Sequence, residues 1–586
     1  MKINVHTHVF NFRSVMTKEA IRIFLNRLTD KSNMENGSNG LPNYLVTPLK
    51  KVLQAAWDDR SIFSDGSGLR QVLVEMVKHR DFAKHAPASL RRSLTRALEN
   101  MPFVGSASEG LHIIKAVFGS ILTADPGDDT EESTVSDFLD FIRVGFLPSI
   151  DAVTDHLMQQ MGPRDIAVAL PMDIVDNNAS ESDLALFPQQ MTDTVAQACR
   201  YPGRLLPYFK VNPARKDHFE LMSEYLLSGK CVGLKLYPPL GYSVDSPAMK
   251  DVVNLCASVH APIISHCNKG GFRRSLNDAD KAAPGHWVSH LESNPALKVC
   301  FAHFGGDENF TSNSLPSTGW ASDIVNLMQR FPGQVYADVS YHVAQMSSSS
   351  KGKTYRRHMQ KLFEDPITRG QILWGTDFHL VRQRASDVSY TRYFEQLLGS
   401  DSMQLIALEN CSNYLGLPGS ERGIGHNIER HAEWLLARRT EWKSAPAPWL
   451  AALTGTPEAA VPSPPQTHAS WDQTRRVHLA LYAFLWDSSY PYFTAEIRQR
   501  IQLDFQKTGS VRMGEMSHLN PPPIGGAEAP ARQLVTDLIS FLRVNNVQLR
   551  HGSAETNAFE QLWPVAARAQ ATVASLADAL DHHYTS

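Results

Sequence analysis

The stretch Ile3-Asn4-Val5-His6-Thr7-His8 is a short, largely apolar run that ends in two histidines one residue apart. Side chains alternate along a β-strand with a period of two, so both histidines point to the same side. Two imidazoles on one side form a pair of ligands suited to a divalent metal ion. A His-x-His pair is weak by itself in a chain of 586 residues with 23 histidines. Its meaning depends on whether further metal ligands stand later in the chain.

Short apolar runs of the same kind recur along the chain and alternate with segments of helical periodicity. There are eight, at 3–8, 166–170, 205–211, 231–237, 262–267, 298–304, 335–340 and 372–377. Strands that alternate with helices predict parallel pairing, and eight such units predict the α/β class and a (β/α)8 TIM barrel. An open doubly wound sheet is the alternative, but its glycine-rich first turn is missing after the first run.

The spacing of these runs predicts how the chain is divided. The first barrel strand lies in 1–12, and a long helical insertion follows at 13–150. Because this insertion leaves strand one at its C-terminal end, where barrel active sites lie, we predict that it forms a lid. The remainder of the barrel occupies 151–425. A helical C-terminal extension, without a motif of recognisable chemistry, occupies 426–586.

The bulk composition excludes several kinds of partner. The 57 basic and 60 acidic residues give a net charge of −3, and the basic segment at 78–96 lacks regular aromatic residues. We therefore expect no nucleic-acid partner. No apolar run is long enough for a membrane span, and the six cysteines contain no Cys-x-x-Cys pair, which favours a cytoplasmic protein with reduced thiols. The expected partner is a small-molecule substrate. Whether the chain forms a homo-oligomer is left open.

Chemically active side chains stand at the ends of five predicted strands. In a (β/α)8 barrel the C-terminal ends of all strands meet on one face. Each side chain follows an apolar run, where an unpartnered charge would be costly. We expect one site that contains His6, His8, Lys235, His266, His303 and Asp377.

The ordered set of motifs resembles the amidohydrolase superfamily, in particular the amidohydrolase-related branch that includes aminocarboxymuconate-semialdehyde decarboxylase. The matching stretches are VHTHVF at 5–10, GLKLYPP at 233–239, ISHC at 264–267, FAHFGG at 301–306, WGTDF at 374–378 and LENCSNYLGL at 408–417. The likeness covers 1–12 and roughly 151–418, and leaves out the insertion and the tail.

The resemblance implies a metal site and a division of roles. His6, His8, His266 and Asp377 would bind one divalent cation, commonly Zn²⁺. His303 would be either a ligand of a second metal site or the acid–base residue beside the metal. Such a cation lowers the pKa of a bound water toward about 7. Asp377 is then the expected general base, because it can accept the proton as this water attacks.

Lys235 decides between one metal and two. The string KLYP resembles the strand of dihydroorotases, in which a carboxylated lysine bridges two metals, but mononuclear relatives also carry GxKL there. We favour one ion, with two if Lys235 is carboxylated. A lysine here is otherwise expected to hold a substrate carboxylate.

Other residues on the same rim are weaker candidates. The expected substrate contacts are Lys235, Tyr237, Asn268, Arg273 and Trp374. Asp307 and Glu308 fit solvated caps of a glycine turn better than site residues. Asp338 and His342 flank the seventh strand as candidates for the pocket lining, and His379 fits a surface loop better than a partner of a metal ligand.

The reaction stays open between two chemistries and one non-catalytic alternative. We favour a metal-dependent hydrolase, with water attacking an amide, lactone or ester carbonyl of a small organic acid. The other chemistry is non-oxidative decarboxylation of an aromatic or unsaturated acid, because fold and ligands do not separate the two. The non-catalytic alternative is a barrel scaffold with a partner-binding tail.

Overall fold

The computed structural model describes residues 1–29, 43–58, 67–86, 91, 141–312, 318–420 and 423–455, and shorter pieces between 531 and 585. The chain divides into two compact units, one of 1–113, 126–157 and 164–459, the other of 114–125, 158–163 and 460–586. The predicted extension 426–586 is thus divided near 459. Most of the predicted insertion beyond residue 86 lies outside the described residues.

The first unit contains eight strands, each in the place that the apolar runs predict. They are β1 (Ile3–Thr7), β2 (Ile166–Ala169), β3 (Leu205–Lys210), β4 (Gly233–Leu236), β5 (Ile263–His266), β6 (Val299–Ala302), β7 (Val335–Asp338) and β8 (Ile372–Leu373). Neighbours in sequence pair in parallel from β1 to β8. Every strand residue is buried, as expected of strands covered on both faces.

Hydrogen bonds beyond β8 close the sheet on β1. The amide of Val5 donates to the carbonyl of Trp374 (3.0 Å), and the amide of Asp377 donates to the carbonyl of His6 (2.9 Å). Thr7 forms a parallel bridge with Phe378. The closed ring of eight parallel strands confirms the predicted (β/α)8 barrel.

Helices connect the strands, as the 3.6-residue periodicity predicts. In the helix Trp320–Arg330, for example, Ala321, Ile324, Leu327 and Met328 are buried on one face. Among the described residues, the helices of four or more residues whose bounds are both defined are Phe12–Val15, Lys18–Thr29, Asn43–Asp58, Ser67–Lys78, Phe82–His85, Ile150–Gln160, Glu181–Leu184, Leu186–Arg200, His218–Leu227, Pro247–Ser258, Val288–Ser293, Glu308–Thr311, Trp320–Arg330, Ser349–Glu364, Pro366–Arg369, Asp387–Leu398, Ser400–Gln404, Asn410–Leu415, His426–Leu436, Pro448–Thr454 and Glu555–Ala566.

Short turns of tighter or wider helix fill several loops. They are the 3-10 segments Pro238–Leu240, Leu276–Ala282, Pro284–Trp287, His303–Gly305, Ala344–Ser347, Leu380–Gln383 and Arg439–Glu441, and a π-helical segment at Leu405–Glu409. Among the described residues, no helix combines the length and apolar character needed to cross a membrane.

The first long helix after β1 lies against loops at the C-terminal ends of the strands. Lys18–Thr29 places Phe24 4.7 Å from Phe272, between ring centroids, in the loop after β5. Glu19 pairs with Arg274 of the same loop at 3.3 Å. The amide of Lys18 donates to Asp183, which follows β2 (3.2 Å). The described start of the insertion therefore sits at the mouth of the barrel.

The helices His426–Leu436 and Pro448–Thr454 pack at the opposite end. Nδ1 of His431 donates to the carbonyl of Gly229, before β4, and Trp449 donates to the carbonyl of Gly203, before β3, both at 2.8 Å. In the second unit, strands Gln548–Leu549 and Tyr584–Thr585 pair in antiparallel fashion.

Candidate metal centre

The barrel brings the predicted strand-end residues to one buried site. A Cβ atom at Gly375 would lie 2.7 Å from Cβ of His6, so the close approach of β8 to β1 requires glycine there. The buried polar residues at the C-terminal ends of the strands include His6, His8, Lys235, His266, His303, Asp338 and Asp377.

Three of these residues converge on one point. Nε2 of His6 and Nε2 of His8 each lie 3.3 Å from Oδ1 of Asp377. The three ligand atoms lie within 4.8 Å of one another, which makes this one of two groups in the described residues that could hold a metal ion. The prediction that His6, His8 and Asp377 come together is therefore met by the geometry.

The partners of the other ring nitrogens set the protonation of both histidines. Nδ1 of His6 lies 2.9 Å from Oδ2 of Asp338, and Nδ1 of His8 lies 2.9 Å from the carbonyl of Leu170. A carboxylate and a carbonyl only accept, so both Nδ1 atoms carry the proton and both Nε2 atoms are bare. Burial lowers the pKa of His6 to about 3, with a contribution from Lys235, and burial lowers that of His8.

Asp377 adds a third acceptor to the two bare nitrogens. Burial raises the pKa of this carboxyl, but its contact with His8 and the proximity of His6 outweigh burial, and the pKa lies below its ordinary value. Oδ1 is buried without a hydrogen-bond partner among the described residues. Three converging acceptors with no proton between them are the arrangement that a divalent cation completes. The donor set fits a metal ion.

Asp338 at the end of β7 has a larger role than pocket lining. Besides His6, it accepts the backbone N–H of His303 and that of Ser340, both at 3.0 Å. Burial raises its pKa, but His6, His303 and Ser340 outweigh burial and leave the carboxyl ionised. A carboxylate on the far nitrogen of a metal-binding histidine fixes its tautomer and orientation. The sequence carries the same signal for Asp338 as for the predicted ligands, namely a polar residue at the end of a predicted strand.

Lys235 lies beside the three acceptors. Its Nζ is fully buried and 3.2 Å from Nε2 of His6. Burial lowers its pKa to about 8, while Asp338 and Asp377 oppose the shift. An amine here can donate to His6 or to a bound anion.

His303 lies next to His6 but is oriented by different contacts. Its Nδ1 lies 3.0 Å from the carbonyl of Ser340, which accepts the proton and leaves Nε2 as the free nitrogen. The ring centroid lies 5.0 Å from those of His6 and His266. His6, His303 and Asp338 form the second possible metal group, but hydrogen bonds with Ser340 already satisfy these atoms.

His266 stands at the edge of the cluster rather than within it. Its Nε2 lies 3.3 Å from the carbonyl of Gly270, and its ring stacks on Tyr237 with centroids 4.1 Å apart. Nδ1 is buried and has no hydrogen-bond partner among the described residues, so it is the free ligand atom. Neither three-residue group includes His266, and its role as a fourth ligand stays a prediction.

The predicted substrate contacts differ in their hydrogen bonding. Tyr237 is buried, and its hydroxyl accepts the amide of Phe272 at 2.9 Å. Oδ1 of Asn268 is buried and without a hydrogen-bond partner among the described residues, and Arg273 donates to the carbonyl of Lys269 (3.2 Å).

Trp374 does not lie with the site residues. Its ring packs against Tyr390 and Phe394 of the helix Asp387–Leu398, with centroids 5.6 and 5.3 Å away. It is a core residue between barrel and helix, which corrects its assignment to the substrate rim.

Two weaker expectations have clear outcomes. Asp307 caps the loop after β7 by accepting the amides of Val343 and Ala344 at 2.7 and 2.6 Å. His379 is fully buried between Phe10 and Phe141, so the expectation of a surface loop was wrong for this residue.

Comparison with known proteins finds similarity at the level of structure. No protein-family profile and no curated protein sequence matches the chain. A TIM-barrel protein from Bordetella bronchiseptica is 18% identical over 48% of this chain and 89% of its own, with a TM-score of 0.34. A dihydroxybenzoic acid decarboxylase from a Polaromonas species, solved with manganese and 2-nitroresorcinol, is 13% identical over 48% and 89%, with a TM-score of 0.32.

A third solved structure is an amidohydrolase from Burkholderia multivorans with bound zinc. It is 13% identical over 48% of this chain and 95% of its own, with a TM-score of 0.31. The likeness is one of fold.

Proposed function

We propose that the chain is a metal-dependent hydrolase of the amidohydrolase type that acts on a small organic acid. The observation that carries the proposal is the convergence of three unprotonated acceptors, Nε2 of His6, Nε2 of His8 and Oδ1 of Asp377, on one buried point. Two imidazoles and one carboxylate suit Zn²⁺ and leave room for a water ligand.

We propose one ion per chain. Lys235 faces His6 through Nζ at 3.2 Å and is surrounded by buried groups, which suits an amine that binds an anion. Carboxylation of Lys235 would turn the same residue into a bridging ligand and admit a second ion. When bound, a divalent cation supplies Lewis acidity and lowers the pKa of water at the site toward about 7.

The chain's own residues would move the protons. Asp377 takes the proton from water as the water oxygen attacks the substrate carbonyl carbon. The developing oxyanion is stabilised by Lys235 or by the free Nε2 of His303 when that nitrogen is protonated. The carbon–nitrogen or carbon–oxygen bond then breaks, the leaving group takes a proton, and an acid and an amine or alcohol result.

The helix Lys18–Thr29 is the part of the insertion that we assign to the lid. It contacts the loop after β2 through Asp183 and the loop after β5 through Phe272 and Arg274. A helix that joins two loops of the barrel mouth can exclude water and narrow the choice of substrate.

Decarboxylation is the second candidate, and the presence of both Lys235 and His303 beside His6 favours it. A buried ammonium group beside the metal position suits a substrate carboxylate, and the free Nε2 of His303 can carry a proton to carbon. In this reaction the carbon–carboxylate bond breaks, CO₂ leaves, and the electron pair on carbon takes that proton.

The test begins with protein purified without chelators. Metal content is measured, and turnover is followed on an aryl lactone, an N-acyl amino acid and a dihydroxybenzoate, with CO₂ release recorded beside hydrolysis. We expect one equivalent of metal and turnover that is lost in Asp377→Asn and His303→Asn. Absence of metal and of turnover would favour the non-catalytic scaffold.

The same experiment separates the two chemistries. Lactone or amide cleavage without CO₂ supports the hydrolase, and CO₂ release alone supports the decarboxylase. We also propose a cytoplasmic location, in keeping with six cysteines that are all free and buried.

A further inference from the structure

Four consecutive residues after β6 have a left-handed backbone. The φ angle is +64° at His303 and +44° at Phe304, and it is positive again at Gly305 and Gly306. Residues with a side chain seldom adopt this conformation, because Cβ crowds the following carbonyl. Such a backbone persists only where surrounding contacts hold it. The position of the His303 imidazole therefore depends on what its own backbone is bonded to.

Two residues from the β7 region hold the two backbone polar groups of His303. The N–H donates to Oδ1 of Asp338 at 3.0 Å. The carbonyl accepts from Nε2 of His342 at 2.9 Å and, within the same turn, from the backbone N–H of Gly306 at 2.7 Å. Asp338 also binds His6, so its removal would disturb a proposed metal ligand directly. Among the hydrogen bonds described, His342 reaches the site only through the backbone of His303. It can therefore be changed without touching His6, His8 or Asp377.

His342 is itself fixed by the outer helices. It is fully buried, and its Nδ1 lies 2.7 Å from the hydroxyl of Tyr355 in the helix Ser349–Glu364. Its backbone N–H donates to the hydroxyl of Tyr390 in the helix Asp387–Leu398 at 2.9 Å. Because Nε2 must carry the proton that the His303 carbonyl accepts, Nδ1 is the acceptor of the Tyr355 hydroxyl. His342 thus ties two helices to the backbone of His303, one through its ring and Tyr355, the other through its own backbone N–H and Tyr390.

We propose that His342 is a positioning residue that holds His303 in its left-handed backbone conformation and thereby aims the imidazole of His303 into the site. The consequence for turnover rests on the proposed function, in which His303 transfers a proton. The consequence for the backbone conformation of His303 is independent of the proposed function.

Two amide variants test the proposal because they separate the two ring nitrogens. In His342→Gln the side-chain amide reaches the position of Nε2 and can still donate to the His303 carbonyl. In His342→Asn the amide reaches the position of Nδ1, keeps the contact with Tyr355 and loses the contact with His303. His431→Asn is the matched control, since His431 is equally buried and donates to the carbonyl of Gly229.

Crystal structures of the three variants provide a readout that needs no substrate. We expect φ of His303 to stay in the left-handed region in His342→Gln and His431→Asn and to leave it in His342→Asn. An unchanged His303 in His342→Asn would overturn the proposal, as would the same displacement in both variants at position 342. If the asparagine variant does not fold, His342→Met, which fills a similar volume without a donor, takes its place.

Kinetics on whichever compound of the panel is turned over provide the second readout. His342→Asn should lower kcat about tenfold to a hundredfold, which is part of the roughly 10²–10⁴-fold that a positioned acid–base group contributes, and leave KM and metal content unchanged. His342→Gln and His431→Asn should keep most of kcat. Equal losses in the Asn and Gln variants, or loss of metal, would show a merely structural role and overturn the proposal.

The outcomes also keep the two proposals apart. If the panel gives no turnover, or if His303→Asn leaves turnover intact, the proposed function fails and the φ comparison alone decides the role of His342. If His303→Asn abolishes turnover while His342→Asn changes neither φ nor kcat, the function stands and the positioning role is rejected.

Discussion

Oδ2 of Asp338 lies 2.9 Å from Nδ1 of His6, although 332 residues separate the two along the chain. This bond makes Nδ1 of His6 the protonated nitrogen and leaves Nε2 bare beside Oδ1 of Asp377 at 3.3 Å. The same carboxylate accepts the backbone N–H of His303. Asp338 therefore links the proposed metal ligand to the proposed acid–base residue.

Replacing Asp338 by Asn should weaken metal binding without removing a ligand. The amide cannot hold the Nδ1 proton of His6 as a carboxylate does, so we expect a loss of about 10–100-fold in affinity for Zn²⁺. Competition with a zinc-binding dye measures the affinity. Asp278→Asn is the control, since Asp278 bonds Ser275 and Lys281 away from the site. Unchanged affinity in Asp338→Asn would contradict the role assigned to this carboxylate.

Replacing Asp377 by Asn should change how stability responds to metal. The asparagine amide can donate to a bare Nε2 of His6 or His8, so the metal-free variant should be at least as stable as the metal-free parent. Zinc at a hundred times its dissociation constant stabilises the parent by about 2.7 kcal/mol, and the variant should lose most of this gain. Thermal unfolding with zinc and with chelator measures both effects. A variant that zinc stabilises as strongly as the parent would remove Asp377 from the ligand set.

Stability should fall as the pH falls from 6.5 to 4, in part because of His431. Burial lowers the pKa of His431 to about 4, from 6.5 in the unfolded chain. Within this window the unfolded state binds a proton that the folded state does not, so acid favours unfolding, by up to about 3 kcal/mol for this group.

The His431→Leu variant isolates that contribution. Its urea-unfolding free energy, measured with chelator at several pH values, should fall less steeply than that of the parent between pH 6.5 and 4. The lost bond to Gly229 lowers the stability of the variant at every pH. The readout is therefore the slope of the unfolding free energy against pH and not its absolute value. Equal slopes in the two proteins would show that His431 titrates normally in the folded state.

Replacing Phe24 by Ala should loosen the lid. The Phe24–Phe272 contact joins the helix Lys18–Thr29 to the loop after β5, and an aromatic pair contributes about 0.5–1.5 kcal/mol beyond its buried area. We expect faster hydrogen exchange in both segments and a higher KM, with kcat and metal content unchanged. Leu227→Ala, at an exposed position outside both segments, is the control. Unchanged exchange and unchanged KM would reject the lid.

The fold could be predicted because its signal is local. Each barrel strand is a short apolar run in sequence, and all eight lie where those runs predicted them. His6, His8 and Asp377 could be brought together because barrel closure places all strand ends on one face. Trp374 shows the limit of that rule, because it directly follows β8 and yet packs against Tyr390 and Phe394 of the helix Asp387–Leu398.

The roles of Asp338 and His342 could not be weighed in the same way. Both were visible as polar residues near a strand end, but their partners are on β1 and in the loop after β6. A hydrogen bond depends on distances of a few tenths of an ångström and on direction, which a pattern of residue types does not contain.

The sequence by itself determined the number and order of the strands and the identities of the side chains at their ends, because burial and alternation act on neighbouring residues. Only the tertiary structure decided which ring nitrogen of His6 and of His8 is bare, and that Asp338 determines this for His6. It also decided that His342 holds the backbone of His303. These properties arise from contacts between residues far apart in sequence, which exist only once the barrel has closed.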